Sequence, residues 1–568
     1  MLREGTTICC QQQLIRGEMN RQAQHFRSHL SWRRRCTFAT WCFTLLILSC
    51  LLSNGQAWGR SRSSYFGAKN PPSIYNPVTC RLRTGADEGV REEPVFRPVI
   101  LEPGGDGDND DDNESSGNNH QKRQALIIMD GFCPYHGGYM MQQAKDLPEV
   151  VVVPVLSEYL RHFLLMTEPE QAEQWQSMRI PTTVEQGKEW TRHLSDVMSS
   201  DFEIAGIYCE SDSGLEDAEK LRRLLNLTCV DDPIYSPARR DKYLMNEMVG
   251  KAGLHVASQK MCKSLDEACE FAQALLSAKQ QHAVPRVVVK PFRGVASESV
   301  YLCESQEQVK EAWEAITDTT VFGQMSSDKH DSVLVQEYLE GTEYALDVVS
   351  RNGEHKIAVI WKYDKRPANG APFCYFQTKL VDEVMEPLDV PSVQEYVRNA
   401  LTALGIRYGF THNEVIMTSD RGPVLVEVNC RQHNMDFAPI TMACIGYNAL
   451  DMTLDALLSS RGDSDEESDW HLYPSEPRLR AFGCMVHLVN SESGTLSHVN
   501  HLEEMGSLPS FFRGHVYEKF QKGGEEIQPT IDIRSDAGWV QLIHEDLEQM
   551  QTDYRQIVEY MPTMFKVE

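Results

Sequence analysis

HNEVIMTSDRGPVLVEVNCRQHN, residues 412–434, is the stretch on which the reading of this chain turns. Apolar, β-branched runs bounded by Ser, Asp, Gly and Pro predict two strands, 411–417 and 424–429, joined by a turn at 419–422. With those four residues as the loop, an antiparallel register sets Glu414 directly opposite Glu427. Facing carboxylates roughly 5 Å apart destabilise a sheet unless a positive charge lies between them. Asn429 follows Glu427 by two residues and so points to the same face. Two carboxylates and an amide oxygen on one spot suit a hard cation such as Mg²⁺, which takes the rest of its shell from water and phosphate. The competing reading, of equal weight from this stretch alone, is a solvated hairpin whose acids pair with lysines.

At 568 residues the chain calls for several domains, and its formal charge of −27 argues against a nucleic-acid partner. Much of that charge is local, in the acidic tract 106–114 and the loop 463–469, so the folded parts are only mildly acidic. The 16 cysteines are scattered, without a Cys-x-x-Cys, and those beyond residue 124 sit mostly in apolar patterns. They read as reduced, buried small hydrophobes in a compartment that keeps thiols reduced.

Residues 1–35 are basic, and an uncharged run, 36–59, follows. Its apolar heart of about a dozen residues is short for a bilayer span and suits a signal sequence, with a small-residue site at Gly55-Gln-Ala57. Residues 58–86 hold no acid but carry Arg60, Arg62, Lys69, Arg81 and Arg83. A signal peptide (1–57) followed by a transit-like stretch and acidic linker (58–123) resembles the bipartite presequences of plastid proteins in algae with secondary plastids. The alternative is a membrane anchor at 36–59 with a cytosolic N-terminus in the endomembrane system.

Beyond residue 124, short buried strands at 125–129, 150–156 and 203–209 alternate with helical patterns, indicating a parallel α/β layer over 124–235. A helix opens near Lys242, and another, 265–276, carries Ser264 as N-cap. The strand 286–290 ends in Lys290-Pro291 and runs into a small-residue loop with Gly294, Ala296, Ser297 and Ser299. A lysine ahead of such a loop is a way to bring backbone close to polyphosphate, although a surface hairpin with a snorkelling lysine fits as well. Strand 333–339 contains Glu337, Tyr338 and Leu339 and stops before Gly341-Thr-Glu343. Strands 356–363 and 373–380 flank 364–370, whose composition suggests a mobile lid.

Together these pieces resemble the ATP-grasp superfamily, in the order Asp-Lys-x-x-Met, strand-Lys-Pro-small loop, Gln-Glu-Tyr-Leu-x-Gly-x-Glu, Asn-Glu-Val and Glu-Val-Asn. The resemblance covers roughly 124–568 and is nearest to carboxylate–amine ligases such as L-amino-acid ligases and carnosine-synthase-like enzymes. It implies a multidomain α/β and α+β chain: a pre-ATP-grasp layer (124–235), a two-lobed ATP-grasp fold (236–460) and a C-terminal α+β subdomain (475–568) packed against the grasp sheets. It also implies ATP and Mg²⁺ as cofactors, two ions with Mn²⁺ as a substitute. In that family's terms Lys242 and Lys290 contact phosphates under the loop with Gly294, Ala296, Ser297 and Ser299. Glu337, Tyr338 and Leu339 line the adenine, Glu343 holds the ribose, Glu414, Glu427 and Asn429 bind the metal, and Arg431 steadies an acyl phosphate. The implied activity joins a small carboxylate to an amine, both expected to be amino acids. Alternatives are a catalytically silent ATP-binding regulator and a carboxylase-type enzyme. The chain departs from these ligases at 430–435, where Cys430 replaces a proline and Gln432-His-Asn-Met replaces a glycine-rich continuation.

The address is testable. Residues 1–90 fused to a fluorescent protein should carry it into the plastid of an alga with secondary plastids; an uncleaved fusion held in endomembranes would establish the anchor instead.

Overall fold

The computed structural model describes Tyr65–Phe66 and residues 123–147, 149–167, 180–197, 201–278, 285–294, 299–321, 329–458 and 469–568. The expected signal or anchor segment, the acidic tract, and Ala296 and Ser297 lie outside the described residues, as does the transit-like stretch except at Tyr65–Phe66 and Arg123. Among the described residues, no helix is long and apolar enough to cross a membrane.

Three strands, Arg123–Met129, Val150–Val155 and Phe202–Cys209, form a parallel sheet with Arg123–Met129 in the centre. Residues 125–129 are all buried, as expected for a central strand covered on both faces. A second sheet is antiparallel and four-stranded, in the order Gln259–Cys262, Val333–Glu337, Val287–Lys290, Tyr301–Cys303. Helices Leu265–Ser277 and Gln306–Thr317 cover it. Their N-caps Ser264 and Ser305 accept the backbone N–H three residues on, satisfying one of the donors that every helix start leaves open. This small lobe has its own core of Val287, Val289, Val333, Val335, Val309 and Ile316.

The largest sheet has nine strands, in the order Tyr65–Phe66, Phe511–Val516, Gly538–His544, Phe482–His487, Ala371–Leu380, Glu354–Ala368, Gly341–Arg351, Gly409–Thr418, Gly422–Asn429. The strands of the C-terminal segment continue the same sheet edge to edge, Phe482–His487 pairing with Ala371–Leu380, and Ala368 and Phe376 of the neighbouring strands pack against its core. One finding here differs from the sequence expectation: 364–370 is no lid. Strands Glu354–Ala368 and Ala371–Leu380 run on to a tight turn at Asn369-Gly370, where φ is +52° and +81°. Asn-Gly with both residues at positive φ is a strong short-range hairpin signal, and the polar composition around it obscured the signal. The turn is also tied down, since Asn369 Nδ2 donates to the carbonyls of Asn490 (2.9 Å) and Thr530 (2.7 Å).

Helix Ala449–Leu458 joins the parallel sheet to the large one. Eight of its residues are buried, among them Leu450, Met452, Leu454 and Leu457, which leaves it apolar nearly all round, the signature of a helix enclosed by protein. Leu126, Ile128, Ala205 and Tyr208 of the parallel sheet, Leu454 and Leu457 of the helix, and Ala345 and Val349 of the large sheet share one core. The approach is close at Gly206, where a Cβ would stand 2.9 Å from Leu457 Cβ.

Candidate functional site

Glu414 and Glu427 do face each other across the hairpin, but by a different route from the expected four-residue loop. Thr418 pairs with Gly422, leaving a three-residue turn at 419–421, and an unpaired Val426 returns the residue that the shorter turn removes. Gly422, at φ +76°, supplies the left-handed step that closes the turn early. Two deviations of one residue therefore cancel. On its other side Glu414 pairs with Ala345, so Glu343 and Asp347, each two residues from Ala345, lie on the same face, together with His412 and Asn429.

Cations reach this face from three elements. Lys242 opens helix Lys242–Lys251, whose start is fixed by Asp241 as N-cap; its ammonium pairs with Glu427 and donates to the Gly294 carbonyl at 3.2 Å. Lys290 ends its strand 5% exposed. Lys365, on the strand mistaken for a lid, pairs with Glu343 at 2.5 Å. The carboxylate repulsion anticipated from the sequence is thus answered by lysines within the chain.

The balance shows in the protonation equilibria. Burial opposes charge on Glu427, but Lys242 and the Asn429 amide, which donates to Glu427 at 2.8 Å, hold it below the ordinary carboxylate range. Burial likewise opposes charge on Glu414, and the hydrogen bond from His412 with the charge of Lys365 outweighs it. His412 is itself buried, yet bonds to Asp347 (3.0 Å) and Glu414 (3.3 Å) raise it to about 9, so it carries a proton into the acid cluster at neutral pH. Lys290 moves the other way. Burial, then the nearby charge of Lys242, brings it down to about 8.

The remaining expected residues lie around this centre. Glu337 ends its strand at the seam between the small lobe and the acid hairpin, accepting Ser258 N–H at 2.7 Å and pairing with Arg421 of the hairpin turn at 2.9 Å. Arg286 lies over the Tyr338 ring at 4.6 Å, and Leu339 packs with Ala257 and Val424. Of the small-residue loop, Gly294 and Ser299 are described, and Ser299 adopts a left-handed φ of +57°. Arg431 is buried and turned toward the parallel layer, where its Nε donates to Asp212 at 2.7 Å.

Sequence reasoning missed Lys365, Asp347, His412 and Asp212. His412 was legible, standing two residues before Glu414 and therefore on its face. Asp347 stands four residues after Glu343 and was equally legible. Lys365 was hidden by the loop assignment. Asp212 meets Arg431 only through tertiary structure, and no local pattern announces it.

Residues 283–437 match the ATP-grasp domain family. The chain is 28% identical over 45% of its length to dapdiamide A synthase of Enterobacter agglomerans, covering 57% of that protein. It is 24% identical over 36% of its length to phosphoribosylamine–glycine ligase of Yersinia pestis, covering 47% of that one. It thus spans about half the length of the curated relatives it matches. Among solved structures, an L-amino acid ligase from Bacillus licheniformis superposes with a TM-score of 0.55 at 18% identity, over 79% of this chain and 100% of that one. The chain carries the ATP-grasp fold.

Two outcomes follow from the charge arrangement. Glu427→Gln strips Lys242 of its partner, so the nucleotide-free protein should lose about 1–3 kcal/mol in a denaturant titration; unchanged or higher stability would mean that repulsion from Glu414 outweighs the pair. For Lys290, only the protonated amine attracts an anion, so ATP affinity should fall as pH rises through about 8. Calorimetry on either side of that midpoint should show the fall in the wild type and a flatter profile in Lys290→Met.

Proposed function

We propose that this chain, built around an ATP-grasp domain at residues 283–437, is an ATP- and Mg²⁺-dependent carboxylate–amine ligase that forms an amide or peptide bond through an acyl phosphate. The observation that carries the reading is the single sheet face on which Glu343, Glu414, Glu427 and Asn429 meet Lys242 and Lys365, with Lys290 and Arg431 close by. Oxygen donors and ammonium groups in that proportion match a metal-bound polyphosphate.

The donor set fits a hard dication: Glu414 and Glu427 are held as anions on facing positions, and the Asn429 amide stands beside them. These three would hold Mg²⁺, two ions in the full complex with Mn²⁺ as a substitute, and when bound the metal offsets charge on phosphate oxygens. The chain's own residues do the rest. Glu337, Tyr338 and Leu339 receive the adenine and Glu343 the ribose. Lys242 and Lys290 counter charge on the γ-phosphoryl group as it passes to a substrate carboxylate oxygen, breaking its bond to ADP. Arg431, oriented by Asp212, steadies the acyl phosphate. The amine nitrogen then attacks the acyl carbon, phosphate leaves, and the proton lost by the amine passes to phosphate or water. No side-chain nucleophile is required, because positioning and preorganised charge supply the catalysis.

Amino acids are the proposed substrates, supported by the likeness to an L-amino acid ligase and to two relatives named as a synthase and a ligase. The altered segment 430–435 bears on which ones. Gln432 bonds to Tyr208 and Glu210 of the parallel layer, and Met435 sits at φ +96°, a conformation that a non-glycine residue holds only where its surroundings enforce it. The ten described cysteines are free thiols, which supports a reducing compartment such as the plastid stroma.

The test is ADP release and product mass across pairs of amino acids with Mg²⁺ and ATP. A ligase gives ADP and phosphate in step with a condensed product. Tight binding of Mg-ATP with no turnover on any carboxylate would sink the proposal and favour a regulatory nucleotide-binding protein.

A further inference from the structure

We propose that Cys133, His136 and Glu210 form a second metal site, separate from the acid hairpin, which takes a thiophilic divalent cation of the zinc class and fastens residues 432–435 to the parallel layer.

Strand Arg123–Met129 leads into a turn closed by the backbone N–H groups of His136 (3.1 Å) and Gly138 (3.0 Å), both donating to the Cys133 carbonyl. The turn sets Cys133 and His136, three residues apart, side by side ahead of helix Gly137–Lys145. Glu210 directly follows Phe202–Cys209, the neighbour of Arg123–Met129 in the parallel sheet. A sulfur, a ring nitrogen and a carboxylate oxygen from these three side chains lie within 4.8 Å of one another. Tetrahedral ligands of one zinc ion stand roughly 3.5 Å apart, so a small rotation of the half-buried Cys133 side chain closes the set.

Two of the three ligands are already held as a metal requires. His136 Nε2 lies 2.9 Å from the Met435 carbonyl. That oxygen can only accept, so the ring proton sits on Nε2 and Nδ1 keeps its lone pair. A histidine that ligates through one nitrogen and donates through the other to a backbone carbonyl is the usual arrangement around protein metals. Nδ1 itself has only a long contact to Gln432 Nε2, at 3.4 Å. The Glu210 oxygens are fixed by the N–H groups of Cys133 (2.9 Å) and Gly137 (2.7 Å), and each oxygen retains a second lone pair. Burial and the like charge of Asp130 both oppose the Glu210 anion, and no cation among the described residues answers them. Thiolate, carboxylate and neutral imidazole around a dication make a centre without net charge, which removes that cost.

The other group of this kind among the described residues, Asp347, His412 and His433, lacks the geometry. Its imidazoles are stacked, with ring centres 3.9 Å apart and planes 21° from parallel, so their in-plane lone pairs do not converge on one ion. At the Cys133 site a bound ion would act beyond its own ligands. Gln432 and Met435 belong to the segment that departs from the related ligases, and both touch His136. Fixing that ring fixes the left-handed Met435 with it.

The test titrates Zn²⁺ and Co²⁺ into the full chain, with excess Mg²⁺ and no nucleotide, for the wild type, Cys133→Ser and Glu210→Gln. The wild type should bind a single ion per chain with Co²⁺ giving the near-ultraviolet thiolate charge-transfer absorption and the visible bands of a four-coordinate ion. Cys133→Ser should abolish the charge-transfer absorption and weaken Zn²⁺ binding by ~10-fold or more, and Zn²⁺ should raise the melting temperature of the wild type but not of this variant. A wild type without the thiolate absorption, or the same absorption persisting in Cys133→Ser, would overturn the proposal. Should Cys133→Ser fail to fold, Glu210→Gln keeps the side chain's shape while discharging it and gives the reading through a comparable loss of affinity; unchanged Zn²⁺ affinity there would equally count against the site. Cobalt absorption requires neither ATP nor turnover, so failure of the ligase reading leaves this result interpretable.

Discussion

Two carboxylates forced opposite one another on adjacent strands set the terms for everything around them. A pair such as Glu414 and Glu427 costs stability on an antiparallel ladder, and the chain neutralises it from three directions. Lys242 comes from a helix start, Lys365 from a neighbouring strand, and His412, held by Asp347, from the residue two before Glu414. None of these partners is close in sequence to all the others. The acid pair thus fixes how the small lobe's entry helix, the large sheet and the small-residue loop must come together, and the fold can be viewed as the scaffold that keeps these charges within reach.

The same arrangement accounts for Lys290, which ends a strand beside Lys242 and has no carboxylate of its own among the ion pairs of the described residues. Desolvation and a neighbouring ammonium both work against its charge. A ligand carrying negative charge relieves both at once. The site is therefore poised electrostatically before anything binds.

Much of this was legible in the chain. The strand character of 411–417 and 424–429, the opposition of Glu414 and Glu427, the parallel layer and the N-cap at Ser264 all follow from local pattern, because each depends on residues near one another in sequence. The failures have equally local causes. Asp364, Lys365, Arg366 and Pro367 look like loop residues, yet Asp364 and Arg366 pair with each other and with Tyr554, so strand structure persists through a polar run that tertiary contacts satisfy. The turn at 419–421 was read one residue too long, and the bulge at Val426 hid the error. Asp212 and Tyr208 meet Arg431 and Gln432 from more than two hundred positions away, a relation that no periodicity in a single sequence records.

The enclosed helix Ala449–Leu458 bears on how the chain is made. The parallel sheet it covers is complete once Phe202–Cys209 has been synthesised, whereas Leu457, which lies against Gly206, arrives about 250 residues later. At ordinary translation speeds that is an interval of roughly ten to fifty seconds, during which the apolar face of Leu126, Ile128 and Tyr208 waits without its lid. The core that joins the two sheets is therefore a late, long-range closure, set by order of synthesis rather than by any local pattern.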